Sequence, residues 1–273
     1  MRQSIHVVDL FAGPGGLAEG FASVTGVSGP EFKIALSIEK EATAFKTLRL
    51  RSFFRQFGGN TPSAYYDYVG RRISLDEMQH KHPAEWAAAC AETYQLELGA
   101  AGTNEIFDPL LDQVAQDAEG VSVLVGGPPC QAYSLVGRAR NKGVAGYIAS
   151  EDHRHFLYRE YIRILNRLKP AIFVMENVKG ILSSSVDGNP IFDQVLADLR
   201  SAGGSSDSYR LVQLAPADSV SGYVIKSEYH GIPQTRHRVI ILGIRSDLAS
   251  RMADRDFALE SALAASSVAD VLS

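Results

Sequence analysis

Four short stretches carry side chains that could do chemistry. Cys130 follows Gly126-Gly127-Pro128-Pro129, Glu176 and Asn177 stand together, Arg236 and Arg238 flank His237, and a turn rich in glycine (Gly13, Gly15, Gly16) is followed 26 residues after Gly13 by Glu39. A thiol held on a fixed turn becomes a nucleophile when its pKa is lowered or when a nearby acid activates the substrate. A glycine turn between a strand and a helix lets a ligand approach backbone N–H groups, and an acid at the end of the next strand accepts hydrogen bonds from ribose hydroxyls. That pair suits NAD, FAD or S-adenosylmethionine equally. Taken singly, each group also has a plainer description: Cys130 as a buried loop cysteine, Glu176 as a solvated carboxylate, Arg236 and Arg238 as surface charges.

The elements that must position these groups read as alternating strands and helices. Residues 5–11 form an apolar strand ahead of the glycine turn, 17–24 a helix, and 32–38 a second strand ending at Glu39. Residues 121–125, Val-Ser-Val-Leu-Val, read as a buried strand that two glycines and two prolines end abruptly. Helices are expected over 42–57, 83–98, 156–168 and 191–199, and strands over 171–175, 209–214 and 239–243. The run Arg49, Arg51, Arg55 with Phe53, Phe54 and Phe57 mixes cations and aromatics, and an amphipathic packing helix accounts for it better than a nucleic-acid surface. Cys90, in an alanine-rich helix, is expected in the core. The Gly-rich stretch 132–150 is long for a connection and so suggests a working loop. The fold class is α/β with a largely parallel sheet, whose reactive groups gather at the carboxyl ends of strands.

Composition narrows the setting. With 273 residues, 45% hydrophobic and 21% charged, the chain can bury a full core. Two cysteines provide neither a disulfide framework nor metal-ligand spacing, which points to the reducing cytoplasm. No secretory segment opens the sequence, and no apolar run reaches membrane-spanning length, so no membrane association is expected. A net charge of −4 gives no general attraction to nucleic acid, so any such contact needs local basic patches.

Together the four stretches resemble the DNA (cytosine-5) methyltransferase family. Asp-Leu-Phe-Ala-Gly-Pro-Gly-Gly (9–16) is similar to its cofactor motif, Gly-Gly-Pro-Pro-Cys-Gln (126–131) to its nucleophile motif, Glu-Asn-Val (176–178) to its acid motif, and Gln-Thr-Arg-His-Arg (234–238) to its Gln-x-Arg-x-Arg motif. Asp152, Arg154 and Leu157 match a weaker one. The likeness spans 5 to about 245 and implies an S-adenosylmethionine-dependent, Rossmann-like fold with helices on both faces of the sheet. It implies a catalytic set of Cys130, Glu176, Arg236 and Arg238. Cofactor contacts would come from Phe11, Ala12, Gly13, Gly15, Gly16, Leu17, Glu39, Lys40, Pro129 and Leu157. Gln131 and Ser134 would close over double-stranded DNA, with Arg138, Arg140 and Lys142 on its phosphates; a nucleoid-associated, restriction–modification role follows. His237 is expected to point away from the arginines.

The chain departs from the family in several places. Lys40 stands where an aromatic often follows the ribose acid. Tyr133 replaces a phenylalanine, and the Gly-Asp-Ile motif is not evident, Glu105-Ile106 being one candidate. A target-recognition region and two further motifs normally follow, and these 273 residues do not contain them. The expected organisation is a catalytic domain over 1–250, with a mainly helical insertion over about 49–118, and the start of a hinge over 251–273. The missing part would lie in a longer protein or in a C-terminal partner chain. An RNA cytosine-C5 methyltransferase, a non-catalytic subunit of a split methyltransferase and an NAD-binding Rossmann protein are the rivals; the last leaves Pro128-Pro129-Cys130 unexplained.

Overall fold

The computed structural model describes residues 4–27, 29–129, 157–186, 189–215, 222–252, 257–262 and 266–272, in two compact units, Met1–Glu119 and Gly120–Ser273. Among the described residues no helix is long and apolar enough to cross a membrane.

The first unit runs β1 (Ile5–Leu10), α1 (Gly16–Ala22), β2 (Phe32–Glu39), α2 (Ala42–Arg55), α3 (Ser63–Val69), α4 (Leu75–Lys81), α5 (Pro83–Glu92), β3 (Thr93–Gln95) and α6 (Thr103–Asp117). β1 pairs in parallel with β2, and β2 with β3. Val7, Val8, Leu10, Leu36 and Ile38 are all buried, the near-continuous burial expected of parallel strands covered on both faces. α2 starts at Glu41, whose carboxylate accepts from the amides of Thr43 and Ala44. It buries Phe45, Leu48, Ser52 and Phe53, one stripe of the helix. Phe53 lies edge-on to Phe57 and Trp86, and Phe54 leans on Tyr65, so the aromatic run serves packing as expected.

One helix is shorter than its sequence suggests. The expected helix over 83–98 stops at Glu92, and Thr93–Gln95 adds a strand to β2, with Tyr94 opposite Ile38. Alanine-rich sequence favours the helix up to this point, but β-branched Thr93 and the open edge of β2 prevail beyond it. Cys90 is half-buried, not in the core.

The second unit runs β4 (Ser122–Gly126), α7 (Leu157–Leu168), β5 (Ile172–Val178), α8 (Ile191–Ser201), β6 (Tyr209–Val212), β7 (Val224–Lys226), β8 (His237–Arg245) and α9 (Ser246–Ala249). β4 and β5 are parallel, whereas β8 runs antiparallel to β5, β6 and β7. α7 buries Tyr158, Tyr161, Ile164, Leu165 and Leu168, a helical stripe. The Tyr161 hydroxyl donates to the Val174 carbonyl at 3.2 Å, and the Tyr209 hydroxyl donates to the Pro170 carbonyl at 2.8 Å. These two bonds fix β5 and the turn before it, the elements that carry Glu176.

Candidate active site

In the first unit the chain turns sharply after β1. Phe11, Gly13 and Gly15 all adopt positive φ (54°, 56° and 95°), and for a bulky residue such as Phe11 that conformation is uncommon. The turn is held by Ala12 N–H donating to the Ile38 carbonyl at 2.9 Å and Gly13 N–H donating to Glu39 Oε2 at 2.8 Å. Glu39 Oε1 accepts from Glu41 N–H at 2.7 Å. The acid at the end of β2 thus braces both the glycine turn and the entry to α2. A Cβ on Gly15 would come within 3.0 Å of Leu48 Cδ1, so at that position both the backbone twist and the close packing require glycine. Leu17 is half-buried and Gly16 exposed in α1. Expected cofactor residues 11–17 and 39–40 are therefore gathered at one strand edge.

The acid at the end of β3 is one that the sequence did not flag. Glu97 pairs with Lys40 at 2.7 Å, and Leu96 N–H donates to the Glu39 carbonyl at 3.1 Å, which places Glu97 beside the end of β2. Glu105 and Ile106 lie on the exposed side of the first turn of α6 instead. Only recognition of β3 as a strand could have directed attention to Glu97.

Behind the turn, Asp9 is fully buried and neither carboxylate oxygen has a well-formed hydrogen bond. Burial raises its pKa from 3.8 to about 7; the Ala18 amide and Arg55 pull it down, and Glu39 and Glu92 push it up. Between pH 3.8 and about 7 the folded chain holds a proton that the unfolded chain releases. Asp9 therefore contributes stability that falls as pH rises through that window. Asp9→Asn should flatten this fall, measured as urea midpoints at pH 5 and 8. Equal pH dependence in the two proteins would count against it. A cavity of about 1000 Å³ in this unit is lined by Glu19, Phe32, Lys33, Arg55 and Glu92 among others, and by neither the glycine turn nor Glu39.

In the second unit the acid and the arginines meet. Glu176 is opposite Ile240, and Arg238 opposite Val178. Directly opposed residues share a face and side chains alternate, so Arg238 lies diagonally across from Glu176 on the same face. Arg238 Nε is 2.7 Å from Glu176 Oε1, an ion pair whose N–H direction is not that of a hydrogen bond, and Arg238 Nη1 donates to the His237 carbonyl at 2.8 Å. Arg236, exposed in the approach to β8, reaches the same oxygen at 4.0 Å. His237 turns to Glu228, Nε2 to Oε1 at 2.7 Å, away from the arginines as expected.

Two features bind the acid to the turn after β4. A Cβ on Gly127 would lie 2.9 Å from Glu176 Oε2, so this carboxylate approaches a backbone that carries no side chain. The buried Asn177 donates through Nδ2 to the Pro128 carbonyl at 3.3 Å and accepts from Val178 N–H at 2.8 Å. The paired glycines were legible only as a turn, and their role as clearance for Glu176 needed the structure. Pro129 is half-buried just after this turn, and Leu157, half-buried, opens α7. Cys130, Gln131, Ser134, Arg138, Arg140 and Lys142, with Asp152 and Arg154, lie outside the described residues.

Parallel strands joined through helices, β1 to β3 in the first unit and β4 with β5 in the second, with acids near their carboxyl ends, are those of a Rossmann-like α/β fold. The same fold is found in a prophage-encoded E. coli protein of the DNA modification methyltransferase type (TM-score 0.60, 20% identity, 98% of this chain and 54% of that one) and in a Spodoptera frugiperda DNMT2 variant (TM-score 0.52, 16% identity, 96% and 57%). The C-5 cytosine-specific DNA methylase family profile matches residues 70–273. The chain belongs to that family. It is 32% identical over 265 residues to the type II methyltransferase M.Bpa9945I of Bacillus paralicheniformis (89% of this chain, 54% of the relative) and 28% identical over 244 residues to M.BspRI of Lysinibacillus sphaericus (89% and 45%). The chain thus spans about half the length of these curated relatives.

Proposed function

We propose that the chain provides the catalytic machinery of a DNA (cytosine-5-)-methyltransferase of restriction–modification type, acting on a cytosine flipped out of duplex DNA. The observation that carries this reading is the Glu176 carboxylate, set between Arg238 and the backbone at Gly127, three residues before Cys130. C6 of cytosine is out of reach in a stacked duplex, which is why the base must be extruded.

S-adenosyl-L-methionine is the cofactor this reading requires, and the glycine turn fits it. A Cβ on Gly13 or Gly16 would meet no described atom within 4 Å, and Glu39, each oxygen already anchored by one amide, keeps lone pairs for ribose hydroxyls. Phe11, Ala12, Gly13, Gly15, Gly16, Leu17, Glu39 and Lys40 would hold it. When bound it supplies an electrophilic methyl group on a sulfonium. The Cys130 thiolate bonds to C6 and the C5–C6 π pair moves onto C5, making that carbon nucleophilic. Glu176 holds a proton at N3 and accepts from the exocyclic amine, and Arg238, with Arg236 beside it, offsets charge building at O2. After C5 is substituted, its proton passes to a base, the C6–S pair returns to sulfur, and the thiolate leaves. Gln131 and Ser134 would contact the DNA, and Arg138, Arg140 and Lys142 its phosphates.

The test is a duplex carrying 5-fluorocytosine, from which the C5 substituent cannot leave as a proton. With cofactor present, this chain should form an adduct that survives a denaturing gel and has the mass of protein plus methylated DNA, and Cys130→Ser should form none. Adducts on fluorinated RNA alone would transfer the activity to an RNA substrate. A further arm adds a separate polypeptide carrying the other half of M.Bpa9945I, testing for a partner chain. No adduct in any arm would refute the proposal.

A further inference from the structure

The three arginines of α2 are not equivalent. Arg49 is part of the scaffold: Nε donates to the Thr93 hydroxyl at 3.0 Å, Nη2 donates to the Thr93 carbonyl at 2.7 Å, and the guanidinium sits 4.4 Å from the centroid of the Phe45 ring. Arg55 is neutralised by both Glu19 and Glu92. Arg51 has no carboxylate partner among the described residues. Its half-buried side chain runs beside the glycine turn, since a Cβ built on Gly15 would meet Arg51 Cδ at 3.9 Å. The charge of Arg51 is felt at the Tyr65 hydroxyl, and Glu19, the acid acting on that same hydroxyl, is already committed to Arg55. A cation without an acid therefore borders the turn.

We infer that Arg51 receives the carboxylate of the cofactor's amino-acid tail. This rests on the cofactor assignment made above. In the first unit the strand ends succeed one another as β3, β2 and β1, bearing Glu97 with Lys40, then Glu39, then the glycine turn. A ribose held at Glu39 has its base on one side and its 5′ substituent on the other. The 5′ tail is slender and zwitterionic, so it suits the turn where the backbone can be approached closely, and its carboxylate then lies within the field of Arg51. A guanidinium matches a carboxylate in geometry as well as charge. A DNA phosphate is the competing anion, but a side chain packed on the cofactor turn favours a ligand lying on that turn.

Calorimetry on wild type, Arg51→Gln and Arg51→Lys would compare S-adenosylhomocysteine with 5′-methylthioadenosine, which keeps the adenosine and thioether but lacks the amino-acid tail. Arg51→Gln should bind S-adenosylhomocysteine roughly 10- to 100-fold more weakly and methylthioadenosine within about twofold of wild type, with Arg51→Lys in between. Unchanged binding of S-adenosylhomocysteine would overturn the inference. So would a parallel loss of both ligands, which signals a damaged turn, or a salt-sensitive loss of duplex affinity with cofactor binding intact, which signals a phosphate contact. Wild type binding neither adenosine ligand would overturn the cofactor assignment itself, and this inference with it.

Discussion

Glu176→Gln should lower the rate of methyl transfer by roughly 10²- to 10⁴-fold, the range spanned when a positioned acid–base group is removed. The substitution keeps the shape of the side chain and one hydrogen-bonding oxygen. What it removes is the negative charge facing Arg238 at 2.7 Å and, on the proposed mechanism, the proton held at N3 while the thiolate adds to C6. Binding of S-adenosylhomocysteine, which the proposed cofactor site would hold on the first unit, should be unchanged. Single-turnover kinetics on duplex DNA separate the step affected, because the loss should fall on the chemical rate rather than on substrate affinity. The 5-fluorocytosine adduct should still form, but slowly. A variant within about threefold of wild type would leave Glu176 as a structural partner of Arg238 and move the acid role elsewhere.

The second large effect is expected from a residue with no side chain. In Gly127→Ala the new methyl carbon would lie 2.9 Å from Glu176 Oε2 and 3.6 Å from the Glu176 carbonyl. The carboxylate, held on its other oxygen by Arg238, has to move by a few tenths of an ångström or more. Displacing a catalytic group by about 1 Å can cost roughly 10²-fold in rate, and a loss of about 10- to 100-fold is the expected result here. The cost in stability should be small, because the crowded atom is the free end of a side chain and the nearest backbone contact, at 3.6 Å, is an ordinary one. A double-mutant cycle tests the cause. Glu176→Asp withdraws the carboxylate by one methylene, so the harm of the alanine should be largely absent in the Gly127→Ala, Glu176→Asp pair. Strict additivity of the two losses would mean that the alanine acts through the turn and not through Glu176.

Much of this arrangement was legible beforehand, for physical reasons. Apolar runs marked β1, β2 and β4 well, since a strand buried on both faces has little choice of residue, and the cores of β5 and β8, buried at alternate residues, were legible from their apolar runs too. The positions of Glu39 and Glu176 at strand ends followed from those runs. The alternation of Arg236, His237 and Arg238 carried the opposite orientation of the histidine. Pairing that depends on a distant neighbour was not legible. Thr93–Gln95 is too short to declare itself and exists because β2 offers it an edge, and with it went the placement of Glu97. The contacts of Gly127 and Asn177 with their neighbours in the turn and in β5 likewise arise only from packing. The charge run on α2 could not be divided from sequence: three similar arginines at 49, 51 and 55 meet a threonine, a glycine turn and two carboxylates respectively.

The reversed direction of β8 has a consequence for how this site can change over time. Arg238 enters from the beginning of its strand, while Glu176 sits close to the exit of β5, and the ladder between Arg238–Ile244 and Ile172–Val178 sets their separation. The connection leading into β8 is thus tethered downstream of any length change it undergoes. Residues can be gained, lost or exchanged ahead of Arg236 without shifting the acid relative to Arg238, because a ladder of backbone bonds absorbs none of the slack. A change of length there is felt by the connection itself, while the Glu176–Arg238 pairing stays set by the ladder.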